Sequence, residues 1–341
     1  MRNMMIWAAL ISLTACGEKE TPVEPDPPRP TKLTVSPNTV ERTRFGGGII
    51  ISAEVTDQYG ETMDSVPVTW LSTDTLVATV DDHGLVFVWM TGTADIVAGA
   101  SNLADTASIS ANLVQRDALT AIYDSLDGPN WKESDNWGTR TELSTWSGVE
   151  TDGAGNPTTL FLFYNDLAGR IPVNELLKLE HLRSLQLGFN FNITGTIPPE
   201  LGDMKSLRRI YLHHNALTGT LPEELSKLDI DSLDVHQNQL SGPIPEWIGG
   251  ETNLGILSIW GNDFTGGIPE SIGDLKNLWV LMVTYNPELS GPLPLSLMDL
   301  GGSLQYFYWG EGTALCSPAD VEFQEWLDNI PTHLAGPVCD S

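Results

Sequence analysis

Three histidines and one aspartate are the residues of this chain with the clearest capacity for chemistry. His213 and His214 are adjacent in the stretch YLHHNALTGTLP, residues 211–222, and His236 follows with Asp234 two positions before it. Imidazole nitrogens and carboxylate oxygens are ligands that zinc and nickel accept, and an imidazole can also act as a general base. The sequence therefore raises two possibilities, a metal site and the base of a catalytic pair.

Neither possibility is reinforced by a recognised motif. The chain contains no nucleophile elbow, no HExxH, no P-loop and no GxGxxG in a strand–helix context. Acidic residues are so numerous that pairs of carboxylates say nothing about glycosidase chemistry. No recognised spacing fixes a third ligand beside His213 and His236. We therefore predict that the protein is not an enzyme and has no metal and no cofactor, and we keep metal binding at these histidines, or hydrolysis, as alternatives.

The elements that must position these side chains follow a repeat of about 24 residues. Six asparagines are spaced 25, 25, 23, 24 and 24 residues apart, at positions 165, 190, 215, 238, 262 and 286. Aliphatic residues precede each asparagine at regular spacing, and most copies continue with Gly and Pro, as in LDVHQNQLSGPIP. A fixed period of this kind predicts a solenoid whose leucines point inward and whose asparagines satisfy backbone groups at the turns. Two copies, LGFNFNITGTIP and VTYNPELSGPLP, carry one extra residue after the asparagine.

These copies resemble the plant-type leucine-rich repeat, LxxLxLxxNxLxGxIPxxLxxL, over residues 158–309. The resemblance implies a right-handed solenoid with a parallel β-sheet on its concave face. Residues 115–157, with WSGV at 146–149, are similar to that family's N-terminal cap but lack its usual cysteines. Helical spacing begins there at Asp117.

Residues 310–341 are expected to close the other end of the solenoid. Ser317 is the predicted N-cap of a helix with Pro318 at its first position. Its apolar stripe consists of Phe323, Trp326, Leu327 and Ile330. An open solenoid end exposes its apolar core, so caps are required.

Aromatic and histidine side chains fall at the strand positions that face the concave surface. Solvent-facing strand positions are usually polar, and Tyr and Trp are enriched at binding hot spots, so we predict a recognition surface. The alternative is that aromatics occur there for strand propensity alone. The predicted ligand-binding residues are Phe161, Phe163, Tyr164, Phe189, Tyr211, His213, Asp234, His236, Trp260, Tyr285 and Tyr308.

Residues 32–114 have a different character from the repeats. Short β-branched runs separated by Gly, Asp and Asn predict a small β-sandwich. Apolar residues alternate along Ile49, Ile51, Ala53 and Val55, and again along Leu85, Phe87 and Trp89. The phrases VTWLSTDTLVATVDDHGLV and GTADIVA resemble group 2 bacterial immunoglobulin-like domains, which serve as spacer or adhesive modules. We expect Trp70 to fill the centre of this core.

The N-terminus predicts export and a lipid anchor. Residues 1–15 have the basic start and short apolar run of a signal peptide, and Leu13-Thr14-Ala15-Cys16 resembles the bacterial lipobox. Lipidation of Cys16 anchors a protein without a membrane-spanning helix. Residues 16–31 are rich in Pro and Glu, which favours an extended tether. The two remaining cysteines, Cys316 and Cys339, are expected to form a disulfide.

The prediction as a whole is a mixed multidomain chain: a small immunoglobulin-like β-sandwich, then a capped leucine-rich-repeat solenoid. We predict a non-catalytic, lipid-anchored protein of the cell surface or outer membrane that recognises a protein, peptide or glycan. The net charge of −28 argues against nucleic acid as a partner. The resembled family includes ectodomains of plant receptor kinases and inhibitors of cell-wall hydrolases. A purely structural component of the cell envelope is the alternative.

Overall fold

A computed structural model describes residues 24–43, 48–334 and 336–339; the predicted signal peptide and Cys16 lie outside the described residues. An all-β unit comes first. Its strands are β1 Pro30–Ser36, β2 Thr39–Arg42, β3 Ile49–Ile50, β4 Ser52–Asp57, β5 Thr69–Ser72, β6 Ala78–Val80, β7 Leu85–Val88, β8 Gly92–Ala100 and β9 Leu103–Ala111. In the described ranges β1 pairs with β4, β2–β9–β8–β5 form a second sheet, and β3–β7–β6 form a third. The inward side chains share one core, which includes Ile51, Ile96 and Ile109.

Two details of this unit differ from what the sequence suggests. Along β7 the buried residues are Val86 and Val88, whereas the larger residues that alternate with them are half-buried. Trp70 is half-buried and packs at the margin of the core, so the expectation that it fills the centre is wrong. The reason is its position in β5, which lies at the edge of its sheet.

The remainder of the chain coils into a solenoid. Its strands are β10 Val149–Thr151, β11 Pro157–Phe161, β12 Ala168–Arg170, β13 Ser184–Gln186, β14 Asn192–Thr196, β15 Arg209–Tyr211, β16 Ala216–Gly219, β17 Ser232–Asp234, β18 Gln239–Pro243, β19 Ile256–Ser258, β20 Asp263–Thr265, β21 Val280–Met282, β22 Ser290–Pro292, β23 Tyr306–Tyr308, β24 Ala314–Cys316 and β25 Thr332–Leu334. The α-helices are α1 Val114–Ser125, α2 Val173–Leu176 and α3 Val321–Asp328. Short 3-10 helices cover Gly128–Asn130, Leu143–Thr145, Pro199–Asp203, Glu223–Lys227, Glu246–Gly250, Glu270–Asp274 and Leu295–Leu300.

Each coil contributes one strand to the concave sheet. Across the described ranges this sheet has nine strands in the order β10-β11-β13-β15-β17-β19-β21-β23-β25, parallel except for the first pair. From β13 to β23 the central residue of each concave strand is buried and in register with its neighbours, as Ile210 is with Leu185 and Leu233. A second parallel sheet, β12-β14-β16-β18-β20, follows the turn after each concave strand. The apolar interior is thus continuous from coil to coil.

One asparagine per coil, buried in five coils and half-buried at Asn238, holds the turn between the two sheets. We call Asn165, Asn190, Asn215, Asn238, Asn262 and Asn286 the asparagine ladder. Asn262 illustrates it: its Nδ2 donates to the carbonyl of Ile259 at 3.0 Å in its own coil and to that of Val235 at 3.1 Å in the preceding coil. Its Oδ1 accepts from the backbone N–H of Leu240 at 3.0 Å. The side chain therefore bonds three backbone groups at the turn. Each of the two carbonyls also accepts from a neighbouring ladder asparagine, Val235 from Asn238 and Ile259 from Asn286.

Helix α1 packs at the N-terminal end of the solenoid. It begins at Val114, three residues before the predicted start. Leu119 and Ile122 are buried in the same core as the first coils. The tryptophans Trp131, Trp137 and Trp146 extend this core, with ring centroids 5.0 and 5.1 Å apart between neighbours.

Helix α3 packs near the other end. Its N-cap is Asp320, whose carboxylate accepts a hydrogen bond from the backbone N–H of Phe323 at 2.9 Å. The prediction of Ser317 as N-cap is wrong, because Ser317 is buried and its backbone N–H donates to the carbonyl of Pro337 at 2.8 Å. Cys316 and Cys339 form a disulfide.

Candidate functional site: the concave face

Outward side chains of the nine-stranded sheet form rows across the concave face. Strand register aligns the inner row: Phe161, Gln186, Tyr211, Asp234, Ser258, Met282 and Tyr308. Two residues further along each coil lies the middle row: Phe163, Gly188, His213, His236, Trp260 and Thr284. The next residue of each coil gives the turn row: Tyr164, Phe189, His214, Gln237, Gly261 and Tyr285. All predicted ligand-binding residues lie in these three rows.

The centre of the concave face is a face-to-face stack of three rings. The centroids of His213 and His236 are 4.6 Å apart with planes inclined by 11°. Trp260 continues the stack, 4.5 Å and 12° from His236. Neighbouring strands are spaced by about 4.8 Å, so rings at equivalent positions of successive coils meet at stacking distance. Because the faces cover one another, His213 is only 9% exposed.

The aromatic side chains at the N-terminal end of the face are far more open. Phe161 is 52% exposed, Phe163 37%, Tyr164 56% and Phe191 54%; we call these four residues the aromatic cluster. The half-buried Phe189 joins them, with its ring centroid 5.0 Å from Phe163 and 6.0 Å from Phe191. Large contiguous exposed apolar patches are uncommon on protein surfaces and are often interaction sites.

Phe191 is absent from the sequence-based prediction. It occupies the extra position of the copy LGFNFNITGTIP, so it has no counterpart in the rows that the repeat defines. Lys132 was also missed, although its Nζ lies 3.8 Å from the ring centroid of Tyr164 and 2.8 Å from a carboxylate oxygen of Asp166. The irregular copy was the available signal for Phe191, whereas nothing in the repeat indicates Lys132.

The turn row is held in the left-handed backbone region in every coil. Values of φ are 53° at Tyr164, 56° at Phe189, 51° at His214, 51° at Gln237 and 54° at Tyr285. The same position in the coil of Trp260 is a glycine, with φ of 66°. Side-chain-bearing residues rarely adopt this conformation, so the chain keeps large side chains on the concave face at a cost in backbone strain.

Asp234 lies between the two stacked histidines. Its Oδ1 is 2.5 Å from Nδ1 of His236, and its Oδ2 is 3.5 Å from Nδ1 of His213. Burial lowers the pKa of His213 to about 4, against the opposing attraction of the Asp234 carboxylate. Burial also lowers the pKa of His214. The imidazoles of His213 and His214 are therefore neutral at physiological pH, and each has a nitrogen lone pair available.

The remaining predicted residues lie to either side of the stack. Tyr285 is exposed, with its ring centroid 6.3 Å from that of Trp260. Tyr211 and Tyr308 are half-buried in the inner row. A separate exposed pair, Trp279 and Tyr306, lies near the opposite margin of the sheet, with ring centroids 6.0 Å apart.

A polar groove runs along that opposite margin near the first coils. Its volume is about 370 Å³, and its walls are Glu150, Asp152, Thr158, Thr159, His181, Arg183, Ser206 and Arg209. The His181 Nδ1 and an Asp152 carboxylate oxygen are 3.8 Å apart there, which is a loose ion-pair distance. None of the predicted ligand-binding residues lines this groove.

Comparison with known proteins identifies the repeats. The family model for the Leucine Rich Repeat matches residues 206–228, 229–250 and 253–275. Receptor-like protein 50 of Arabidopsis thaliana is 34% identical over 143 residues, which is 38% of this chain and 16% of that protein. The chain thus spans about a sixth of the length of that relative. None of the helices in the described part of the chain is long and apolar enough to cross a membrane.

Solved structures agree on the architecture. The Arabidopsis receptor kinase HAESA, in complex with the peptide hormone IDA and the co-receptor SERK1, superposes with a TM-score of 0.52 at 24% identity, over 67% of this chain and 42% of that one. Pollen Receptor Kinase 3 superposes with a TM-score of 0.50 at 22% identity, over 65% of this chain and 99% of that one. The solenoid thus has the fold of plant leucine-rich-repeat ectodomains, and three of its coils match the Leucine Rich Repeat model.

Proposed function

We propose that the concave face of the solenoid binds a peptide or protein segment with apolar side chains and catalyses no reaction. The aromatic cluster is the observation that carries this proposal. Its four rings remain open to solvent on a chain with a net charge of −28. Burying one such side chain in an interface contributes about 1.5–3 kcal/mol, so four neighbouring rings supply a strong anchor site.

The ring stack forms the central surface against which the partner packs. His213, His236 and Trp260 cover one another's faces, so they present edges and offer little apolar area of their own. Tyr211, Tyr285 and Tyr308 border the stack and provide hydroxyl groups for polar contacts with the partner's backbone. Specificity then comes from the polar centre and affinity from the aromatic end.

A peptide or protein partner suits this surface better than a glycan. Sugar rings stack on open aromatic faces with hydrogen-bonding groups beside them, whereas the open faces here belong mainly to phenylalanines. HAESA, which shares the fold, is a receptor seen with a peptide hormone. A purely structural role leaves the exposed phenylalanines without a use.

The test is a selection of random peptides on phage against the full-length protein. Selected peptides are then measured against two variants that match in number and type of change. The test variant carries Phe161→Ser and Phe191→Ser in the aromatic cluster. The control variant carries Trp279→Ser and Tyr306→Ser at the opposite margin, where the rings are comparably exposed.

We expect the peptides to bind the control like the parent protein and to bind the test variant at least tenfold more weakly. Tenfold corresponds to about 1.4 kcal/mol, within the range for loss of a hot-spot residue. Circular dichroism verifies that both variants are folded. Equal binding to the two variants, or enrichment of glycans but no peptides in a parallel array, would contradict the proposal.

The same proposal includes surface anchoring. Cys16 carries lipid, residues 16–31 act as a tether, and residues 32–114 act as an immunoglobulin-like spacer that presents the capped solenoid, residues 115–341, at the cell surface or outer membrane. The separate core of the all-β unit supports its role as an independent spacer. Residues 24–29 have no regular secondary structure and are exposed, which suits a tether.

Metabolic labelling with an alkyne-tagged fatty acid in a bacterial host tests the anchor. We expect label on the parent protein and none on Cys16→Ser, which should leave the membrane fraction. Label retained by the Cys16→Ser variant would place the anchor elsewhere.

A further inference from the structure

We infer that the concave face has a binding site for Zn²⁺ or a chemically similar divalent metal ion. Its ligands are His213, Asp234 and His236. Pairing of Tyr211 with Asp234 sets strands β15 and β17 in register. Both histidines follow these strands at equivalent positions. One ligand atom from each of the three residues lies within 4.8 Å of the others.

The donor set has the composition that zinc prefers. Two imidazoles with one carboxylate are typical of catalytic and exchangeable zinc sites. Magnesium and calcium require more oxygen ligands than a single carboxylate supplies. Three protein ligands leave a fourth coordination position, which can take water or a donor atom from a partner.

The site is enclosed, and one of its donor atoms lacks a partner. The three side chains are between 11 and 16% exposed. Among the described residues, the buried Nδ1 of His213 has no hydrogen-bond partner, because the Asp234 oxygen 3.5 Å away lies outside hydrogen-bond geometry. A buried polar atom left without a partner costs about 1–3 kcal/mol. A metal ion bound at that nitrogen would satisfy it.

Space for the site is provided by a glycine. Gly188 occupies the middle-row position beside His213, and a Cβ atom there would lie 2.6 Å from Nε2 of that ring. The ring can therefore lie flat over Gly188 with Nδ1 turned toward Asp234.

Metal binding requires the two histidine rings to reorient. An imidazole lone pair lies in the plane of its ring, and two parallel planes cannot both contain one ion. The histidine rings must turn away from their 11° alignment, and the 2.5 Å contact between Asp234 and His236 must lengthen. Trp260, stacked on His236, experiences this movement directly and reports on it.

Titration of the full-length protein with Zn²⁺ by calorimetry, and with Co²⁺ by visible absorption, tests the inference. Asp234→Asn and the double variant His213→Asn, His236→Asn remove ligands. His214→Asn is the matched control, because it changes an adjacent imidazole on the same surface that is outside the trio. A high-salt buffer suppresses weak binding to the acidic surface.

We expect one tight site in the parent and in His214→Asn, with ligand-field absorption of a low-symmetry Co²⁺ complex. Affinity should fall at least a hundredfold in the double variant. Co²⁺ should also quench tryptophan fluorescence, and Trp260→Phe should remove most of that quenching without removing the site. Identical isotherms for parent and double variant, or an equal loss in His214→Asn, would overturn the inference. Thermal melts without metal show whether each variant is folded, and peptide binding measured in a chelator separates this site from the proposed recognition function.

Discussion

Two sets of side chains run the length of the solenoid at the same spacing, and they differ in almost every other respect. The asparagine ladder repeats one residue, is buried except at the half-buried Asn238, and pairs with backbone groups. The concave rows change from phenylalanine to histidine to tryptophan and tyrosine along the same coils. The turn geometry accepts one residue type at the first set, whereas the fold leaves the second set free. Repetition therefore marks architecture, and variation at a fixed position marks the surface that function can shape.

The coil with the extra residue after Asn190 differs from the regular coils in both sets of side chains. The extra residue after Asn190 places Phe191 on the concave surface, and it also shifts the backbone that should donate to the next asparagine. Among the described residues, Oδ1 of Asn215 is buried without a hydrogen-bond partner, unlike the corresponding atom of Asn190, Asn238 or Asn262. This coil therefore has one more exposed aromatic ring than the regular coils, and the asparagine that follows it accepts one hydrogen bond fewer.

Removing a ladder asparagine should have the largest effect on the free energy of unfolding. Asn262→Leu removes the acceptor of the Leu240 N–H. It also removes one of the two asparagine hydrogen bonds that the carbonyls of Val235 and Ile259 each accept. We expect the free energy of unfolding to fall by about 3 kcal/mol or more in urea denaturation. Asn215→Leu should cost about 1 kcal/mol less, because its Oδ1 accepts no bond in the parent. Equal losses at the two positions would show that the irregular coil does not weaken the ladder.

The concave stack can be disturbed without changing any of its rings. A methyl group at Gly188 would lie 2.6 Å from Nε2 of His213, so Gly188→Ala should turn that ring away from Asp234. We expect at least a tenfold loss of zinc affinity, measured by calorimetry, with only a small change in stability. Gly255→Ala is the control, because its Cβ would lie 2.9 Å from Nε1 of Trp279, away from the stack. A similar loss in both variants would mean that general crowding, and no local displacement of His213, causes the effect.

The sequence predicted the ladder and the rows because both follow from the period. Strand register could be derived from the asparagine spacing, and the inward leucines from the repeat. The placement of Asp234 between His213 and His236 could not be derived, because it depends on side-chain rotation over Gly188. The openness of the N-terminal rings and the closure of the central ones also escaped prediction. Each depends on whether the neighbouring coil presents a ring at stacking distance, which only the assembled sheet decides.

Substitutions in the turn row should change the free energy of unfolding by less than the loss of a ladder asparagine does. Gln237 has a φ of 51°, and the neighbouring coil has Gly261 with a φ of 66°. Gln237→Gly should raise the free energy of unfolding by up to about 1 kcal/mol, because strain of this kind costs about 1–2 kcal/mol and glycine loses some of the gain to chain entropy. Gly261→Ala should lower it by a similar amount. Urea denaturation of both variants checks the pair; a stability loss in Gln237→Gly would show that its side chain contributes more than the strain costs.

Substitution of Glu251 should change stability least. This residue is a carboxylate that accepts a backbone hydrogen bond, as the amides of the ladder do. Its Oε2 accepts from the backbone N–H of Ile230 in the preceding coil at 3.1 Å, and the residue is 3% exposed. Burial raises its pKa above the ordinary 4.5, and the hydrogen bond from Ile230 opposes that rise only in part. The folded protein therefore binds this proton more tightly than the unfolded chain, so the contribution of Glu251 to stability is greatest below pH 4.5 and declines as pH rises through the raised pKa. Glu251→Gln keeps an acceptor for Ile230 without the charge, so we expect a higher melting temperature than the parent at pH 7.5 and no such gain at pH 4. An equal difference at both pH values would mean that ionisation of Glu251 does not change the stability of the folded protein between them.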